Sequence, residues 1–163
     1  MGRCAADKIL TIEQATALRD ELAAAGTEVV LTNGCFDVIH VGHIRYLEEA
    51  RRLGGFLIVA VNSDAGVRCL KGEGRPINPE MDRAEIIAAL GCVDVVVIFS
   101  ERTAEAVVRC LRPSIYVKGG DYSEEQIPEA RIAHEVGARV VIASLVPGKS
   151  TTALVDAICK NES

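Results

Sequence analysis

The sequence contains no run of the roughly 18 apolar residues that a membrane-spanning helix needs, and its start, MGRCAADKIL, lacks the long apolar core of a secretory signal. A cytoplasmic protein without a membrane partner is expected. A basic excess is also missing. The formal charge of -5 gives no field for grasping a nucleic-acid backbone, although a local pocket for a small anion remains compatible with it. Cys4, Cys35, Cys69, Cys92, Cys110 and Cys159 form no C-x-x-C pair, so reduced and mostly buried thiols are expected rather than disulfides or zinc ligands. No internal repeat, low-complexity segment or long linker divides the chain. Its 163 residues, 49% hydrophobic, suffice for one core but not for two ordinary domains.

What is present is an alternation of short β-branched runs with amphipathic segments. The runs EVVLTNG, FLIVAVNSD, DVVVIFS, SIYVKGG and ARVVIASL are apolar at consecutive positions, as in strands covered on both faces. Helices are expected at about 43–53, 80–90, 103–111, 127–136 and 151–160. Such alternation predicts right-handed crossovers and an α/β, doubly wound (Rossmann-like) five-stranded parallel sheet with helices on both faces. Ahead of the first strand, Thr11 and Gln14 have capping-box spacing and Gly26 marks a stop, so residues 1–27 form a helical extension to a 28–160 core. That helix is expected to pack on the sheet or on a partner subunit. The glycine-containing stretch from Lys71 to Pro79 reads as a mobile loop.

In open α/β sheets ligands bind beyond the carboxyl ends of the strands, where strand order reverses. The informative polar residues fall there: Thr32, Asn33, Gly34 and Asp37 after the first strand, Asn62 and Asp64 after the second, Lys118, Gly119, Gly120, Asp121 and Tyr122 after the fourth, and Gly148 to Thr152 after the fifth. Within NGCFDVIHVGH, His40 and His43 bracket Gly42 at the mouth of a helix. A helix start presents unpaired N–H groups and partial positive charge to an anion. Gly42 would let a phosphate approach, and two histidines three residues apart could both donate to it, with bound polyphosphate favouring their protonated forms.

Local residues leave other readings open. H-x-x-H with Asp37 nearby could ligate a metal, or the histidines could be incidental caps. PGKSTT looks like the end of a phosphate-binding P-loop, but Ala143 stands where that motif needs glycine; Ser150 or Thr151 could cap the last helix and meet phosphate oxygens, or cap it only.

TNGCFDVIHVGH, followed by VNSD, KGEGRPI, MDR, YVKGGDY and KSTT, resembles the cytidylyltransferase-like nucleotidyltransferase superfamily. Within it, the run from Val29 to Lys160 most resembles the adenylyltransferase domain of the bifunctional heptose 7-phosphate kinase/heptose 1-phosphate adenylyltransferases, without room here for the kinase. The resemblance implies transfer of AMP from ATP, with magnesium, to D-glycero-D-manno-heptose 1-phosphate for lipopolysaccharide inner-core synthesis, in a homodimer supplied by a separate sugar kinase.

It also implies roles for residues. His40 and His43 would hold the α- and β-phosphates, and Ser150, Thr151 and Thr152 the β- and γ-phosphates. Thr32, Asn33, Gly34, Cys35, Phe36, Gly42, Lys118, Gly119 and Asp121 would complete the nucleotide site. Lys71 and Arg75 would close over the triphosphate or sugar phosphate. Arg83 would counter the leaving pyrophosphate, unless it is a surface residue paired with Glu80 or Glu85. Asp64 and Asp121 are candidates for acceptor hydroxyls, Asp64 alternatively capping the helix after the second strand, while Asp37 is expected to organise its loop. No carboxylate cage for magnesium is visible. A cytidylyltransferase for glycerol 3-phosphate and a non-catalytic nucleotide-binding regulatory module remain the rivals.

Overall fold

The structure is a computed structural model that describes residues 4–120, 123–143 and 151–160. The five apolar runs become β1 (Val29–Gly34), β2 (Phe56–Asn62), β3 (Val95–Phe99), β4 (Ile115–Gly119) and β5 (Arg139–Ala143). They pair in the order β3-β2-β1-β4-β5, every pairing parallel. From β1 the chain winds outward through β2 to β3, then returns to lay β4 against the other side of β1. Strand order therefore reverses between β1 and β4, and their carboxyl ends open the crevice where such sheets hold ligands.

The helices are α1 (Ile12–Ala24), α2 (Val41–Arg52), α3 (Asp64–Lys71), α4 (Glu80–Ala89), α5 (Glu105–Leu111), α6 (Ala130–Glu135) and α7 (Thr151–Lys160). Alternate strand residues feed two cores. Leu31, Ile58, Val97 and Tyr116 meet α1, α5 and α6, whereas Val30, Val59, Val96 and Val117 meet α2 and α4. Thr11 and Gln14 form the expected reciprocal cap of α1, with Oγ1 accepting from Gln14 N at 3.2 Å and Oε1 accepting from Thr11 N at 3.0 Å. Gly26 stops it at φ 76°. α1 packs on the sheet and α5, and the segment before it extends the β3 edge, with Leu10 N–H donating to Val96 O at 2.9 Å.

Several expectations need correction. β5 is an edge strand: Arg139 and Ile142 are exposed, so it is not covered on both faces. The helix after β2, α3, is capped by Ser63, whose Oγ accepts from Gly66 N at 3.1 Å, and not by Asp64. Cysteines are free, as expected, but Cys4, Cys69, Cys110 and Cys159 are exposed and Cys35 and Cys92 half-buried; Cys69, Cys110 and Cys159 lie on outward helix faces. No helix among the described residues is long and apolar enough to cross a membrane.

Candidate active site

The two histidines resolve into a reciprocal helix cap. His40 precedes α2 in extended conformation, and its Nδ1 accepts from Gly42 N at 3.1 Å; His43 Nδ1 accepts in turn from His40 N at 3.3 Å. This is the capping-box arrangement with imidazoles in place of hydroxyl and carboxylate. An Nδ1 that accepts a hydrogen bond carries no proton, so in both neutral rings the proton sits on Nε2. The rings lie 4.0 Å apart at 36°. Burial, then the neighbouring His40 and Lys71 charges, push His43 down to about 4, so at neutral pH it is an uncharged Nε2–H donor.

A strained turn holds this pair in place. Phe36 adopts φ 48°, uncommon for a bulky residue, and is buried with its ring edge-on to His43 at 5.5 Å. A Cβ on Gly34 would stand 3.0 Å from the Phe36 ring, so glycine there makes room for phenylalanine. Gly119 does the same for Tyr46, whose ring would meet an added Cβ at 3.0 Å. Thr32 is fully buried and hydrogen-bonded to the Tyr46 hydroxyl, which also donates to Val117 O at 3.2 Å. The Thr32 side chain thus fastens α2 to β1 and β4.

Across the switch point, Asn33 Oδ1 accepts from the Tyr116 hydroxyl at 2.6 Å and from Lys118 Nζ at 3.2 Å. Two donors on one oxygen fix the amide orientation. Cys35 Sγ lies 3.9 Å from Asn62 Oδ1, its thiol raised chiefly by burial. Among the described residues Asp37 does not organise its own loop by local hydrogen bonds, the role expected of it, but ties down the loop before α4 through residues distant in sequence. Its carboxylate accepts from Ile77 N at 2.8 Å and Asn78 N at 3.0 Å and pairs with Arg75 Nε at 3.2 Å. The half of the Lys71–Pro79 stretch after Gly74 is therefore tied down, not loose.

Arg83 is fully buried, which removes the surface pairing with Glu80 or Glu85. Its guanidinium donates to Asn78 O at 2.9 Å, Cys35 O at 2.6 Å and Asp64 Oδ1 at 2.8 Å. Glu80 instead accepts from Asp64 N at 2.7 Å. Lys71, exposed at the end of α3, lines a cleft of about 400 Å³ with Arg75, Thr152, Val155 and Asp156. Thr151 Oγ1 donates to Val38 O at 3.3 Å, which brings the start of α7 to the histidine loop. Asp121 and Ser150 lie outside the described residues. Among the described residues no group of three His, Cys, Asp or Glu side chains could hold a metal ion.

Tyr46, Tyr116, Asn78 and Glu129 escaped the sequence reading. Only Tyr116 carried a usable signal, since it alternates with Lys118 on β4 and so shares its face.

The pattern of cytidylyltransferase-like proteins matches residues 31–159, from β1 through α7. The chain belongs to the cytidylyltransferase-like family. It is 49% identical over 86% of its length to the Bifunctional protein HldE of Syntrophotalea carbinolica, covering 29% of that protein, and 48% identical over 94% to that of Pseudomonas fluorescens, covering 32%. The chain thus spans about a third of the length of these curated relatives. A solved lipopolysaccharide core biosynthesis protein from Thermoplasma volcanium is 30% identical, with TM-score 0.60 over 74% of this chain and 98% of that one. At 12% identity and TM-score 0.59, a Francisella tularensis pantoate-beta-alanine ligase, over 95% of this chain and 78% of that one, shares the fold.

Proposed function

We propose that this cytidylyltransferase-like protein transfers AMP from ATP to D-glycero-D-manno-heptose 1-phosphate, giving ADP-heptose and pyrophosphate for lipopolysaccharide inner-core synthesis. The observation that carries the reading is the reciprocal cap of His40 and His43, which commits both Nδ1 atoms to backbone N–H groups and leaves the ring protons on Nε2 at the start of α2. The similarity to HldE proteins and to a lipopolysaccharide core biosynthesis protein supports the acceptor.

In the reaction a phosphate oxygen of the sugar attacks the α-phosphorus in line; that P–O bond forms as the bond to the β-phosphate oxygen breaks, and pyrophosphate leaves with the electron pair. No covalent enzyme intermediate is required, so positioned donors supply the catalysis. The imidazole Nε2–H groups at the start of α2 meet the α- and β-phosphates as charge builds on them. Thr151 and Thr152, with Ser150, take the distal phosphates; Lys71 closes the cleft beside Thr152, and Arg75, held by Asp37, lines it. Asn33, Gly34, Cys35, Phe36, Lys118, Gly119 and Asp121 flank the nucleotide, while Asp64 orients Arg83 more than it meets the acceptor. Magnesium bound with ATP would neutralise charge on the triphosphate. The protein acts in the cytoplasm as a homodimer, its substrate made by a separate sugar kinase.

The test is pyrophosphate release with magnesium, offering ATP, CTP, GTP and UTP against both anomers of the heptose 1-phosphate and against glycerol 3-phosphate. Release with ATP and a heptose 1-phosphate is expected. CTP with glycerol 3-phosphate would replace base and acceptor but keep the mechanism. Nucleotide binding without release in any combination would leave a regulatory module.

A further inference from the structure

Glu129 is a buried carboxylate near the crevice that the mechanism above does not use. It opens α6 and is 2% exposed; its Oε1 accepts from Ala104 N, at the start of α5, at 3.0 Å. Its other oxygen is buried, has no hydrogen bond among the described residues, and lies 3.5 Å from Lys118 Nζ. A carboxylate taken out of water is costly, and capping α5 would need only one neutral acceptor. The charge is thus unexplained by the helix alone. What it faces is the ammonium at the end of β4, which also reaches Asn33 Oδ1 at 3.2 Å. Burial and then the Glu129 charge raise the nearby Tyr116 phenol well above its usual range, which keeps that hydroxyl a donor to Asn33.

We infer that Glu129 is a positioning residue: its buried carboxylate, anchored on the α5 amide, fixes Lys118 with Asn33 at the β1–β4 switch point so that the ammonium meets nucleotide phosphate already in place. The inference rests on the adenylyl-transfer reading. Without the tether a flexible four-carbon stem would have to be ordered in each turnover.

The decisive variant is Glu129→Gln, which preserves shape and the acceptor for Ala104 while turning an amide towards the ammonium. Turnover should fall about tenfold, the coupling expected of contacting charges, with ATP affinity unchanged or tighter because a negative charge has gone. In a Lys118→Met background the same change should do nothing further. Equal losses in both backgrounds would make Glu129 a cap for α5 only, and tighter ATP binding at full turnover would make it only a mask for charge; either result, or no effect, overturns the proposal. A second readout needs no activity: the rate at which an amine-acylating reagent labels Lys118, followed by mass spectrometry, should rise relative to Lys160 in Glu129→Gln. An unchanged rate overturns the tether. A wild-type protein that fails to release pyrophosphate yet passes the labelling test would remove the adenylyl-transfer reading and not the tether.

Discussion

Replacing Arg83 by methionine separates two accounts of this residue, a cation acting on pyrophosphate and a strut that ties α4 to the histidine loop. The guanidinium is fully buried and makes two bonds to backbone carbonyls, Asn78 O at 2.9 Å and Cys35 O at 2.6 Å. Each such bond from a charged donor contributes about 1.5–3 kcal/mol. Its ion pair reaches Asp64, a side chain 30% exposed, so water screens that term to about 0.5–1 kcal/mol. Methionine recovers about 1–2 kcal/mol through its own buried surface. The net loss is about 1.5–6 kcal/mol, a range that includes the loss found when one partner of a buried pair is removed. At about 2–4 °C per kcal/mol for a chain of this size, the melting midpoint should fall by about 3–24 °C. Arg83→Lys, which keeps the charge but not the three-way fork, should fall between. Thermal melts by circular dichroism measure this, and pyrophosphate release is then assayed well below the variant midpoint. A methionine variant that melts with the wild type yet has lost turnover would refute the strut and return Arg83 to the substrate.

Other outcomes follow from the same geometry. His40→Ala and His43→Ala should each lower turnover by about two to three powers of ten while the chain stays folded, and near-normal pyrophosphate release by a folded double variant would remove the mechanism. His40→Asn should melt like the wild type, since asparagine is a strong N-cap, but turn over like His40→Ala; wild-type turnover would show that the cap alone matters. His43 titrates at about 4 when folded, against roughly 6.5 unfolded, so its contribution to stability is complete above about 6.5 and is lost as pH falls from there towards 4. Melting midpoints at pH 7 and 4.5 should therefore differ less in His43→Asn than in the wild type, and an equal difference would contradict the shift. With a thiol reagent at neutral pH, Cys4, Cys69, Cys110 and Cys159 should react quickly and Cys35 and Cys92 slowly, burial holding both of the latter thiols protonated.

The sheet was legible because its strands are short β-branched runs bounded by turn residues, mostly buried and too brief for an ordinary helix. α1 was legible for a different reason, its Thr11–Gln14 cap and Gly26 stop being local signals. α3 was harder: it has eight residues, includes Gly66, and starts from Ser63 inside a segment that reads as a strand end. Arg83 sits in EMDRAE, whose charges suggest solvent, yet it lies on the inward face of α4 with Ala84, Ile87 and Ala88. A four-residue step from Arg83 to Ile87 was the available clue. The bonds from Asp37 to Ile77 and Asn78 span some 40 positions, and no local pattern encodes them. Candidate residues at the strand ends could thus be picked out by type and place, whereas the contacts that hold them are set by distant pairing.

That pairing has a common form. Three cations near the crevice are each held by an acid from another part of the chain: Arg75 by Asp37, Arg83 by Asp64 and Lys118 by Glu129. Donors fixed before substrate arrives need no reorganisation as charge develops, and acids beside them remove the self-repulsion that a bare cluster of cations would carry. Lys71 is different: it makes no ion pair among the described residues and stands exposed just before Gly72 and Gly74, both at positive φ. A cation on that hinge can move to a ligand, whereas the tethered ones wait for it. On the adenylyl-transfer reading, this division lets a chain of formal charge -5 meet a polyanion through a few oriented donors, with no broad positive field.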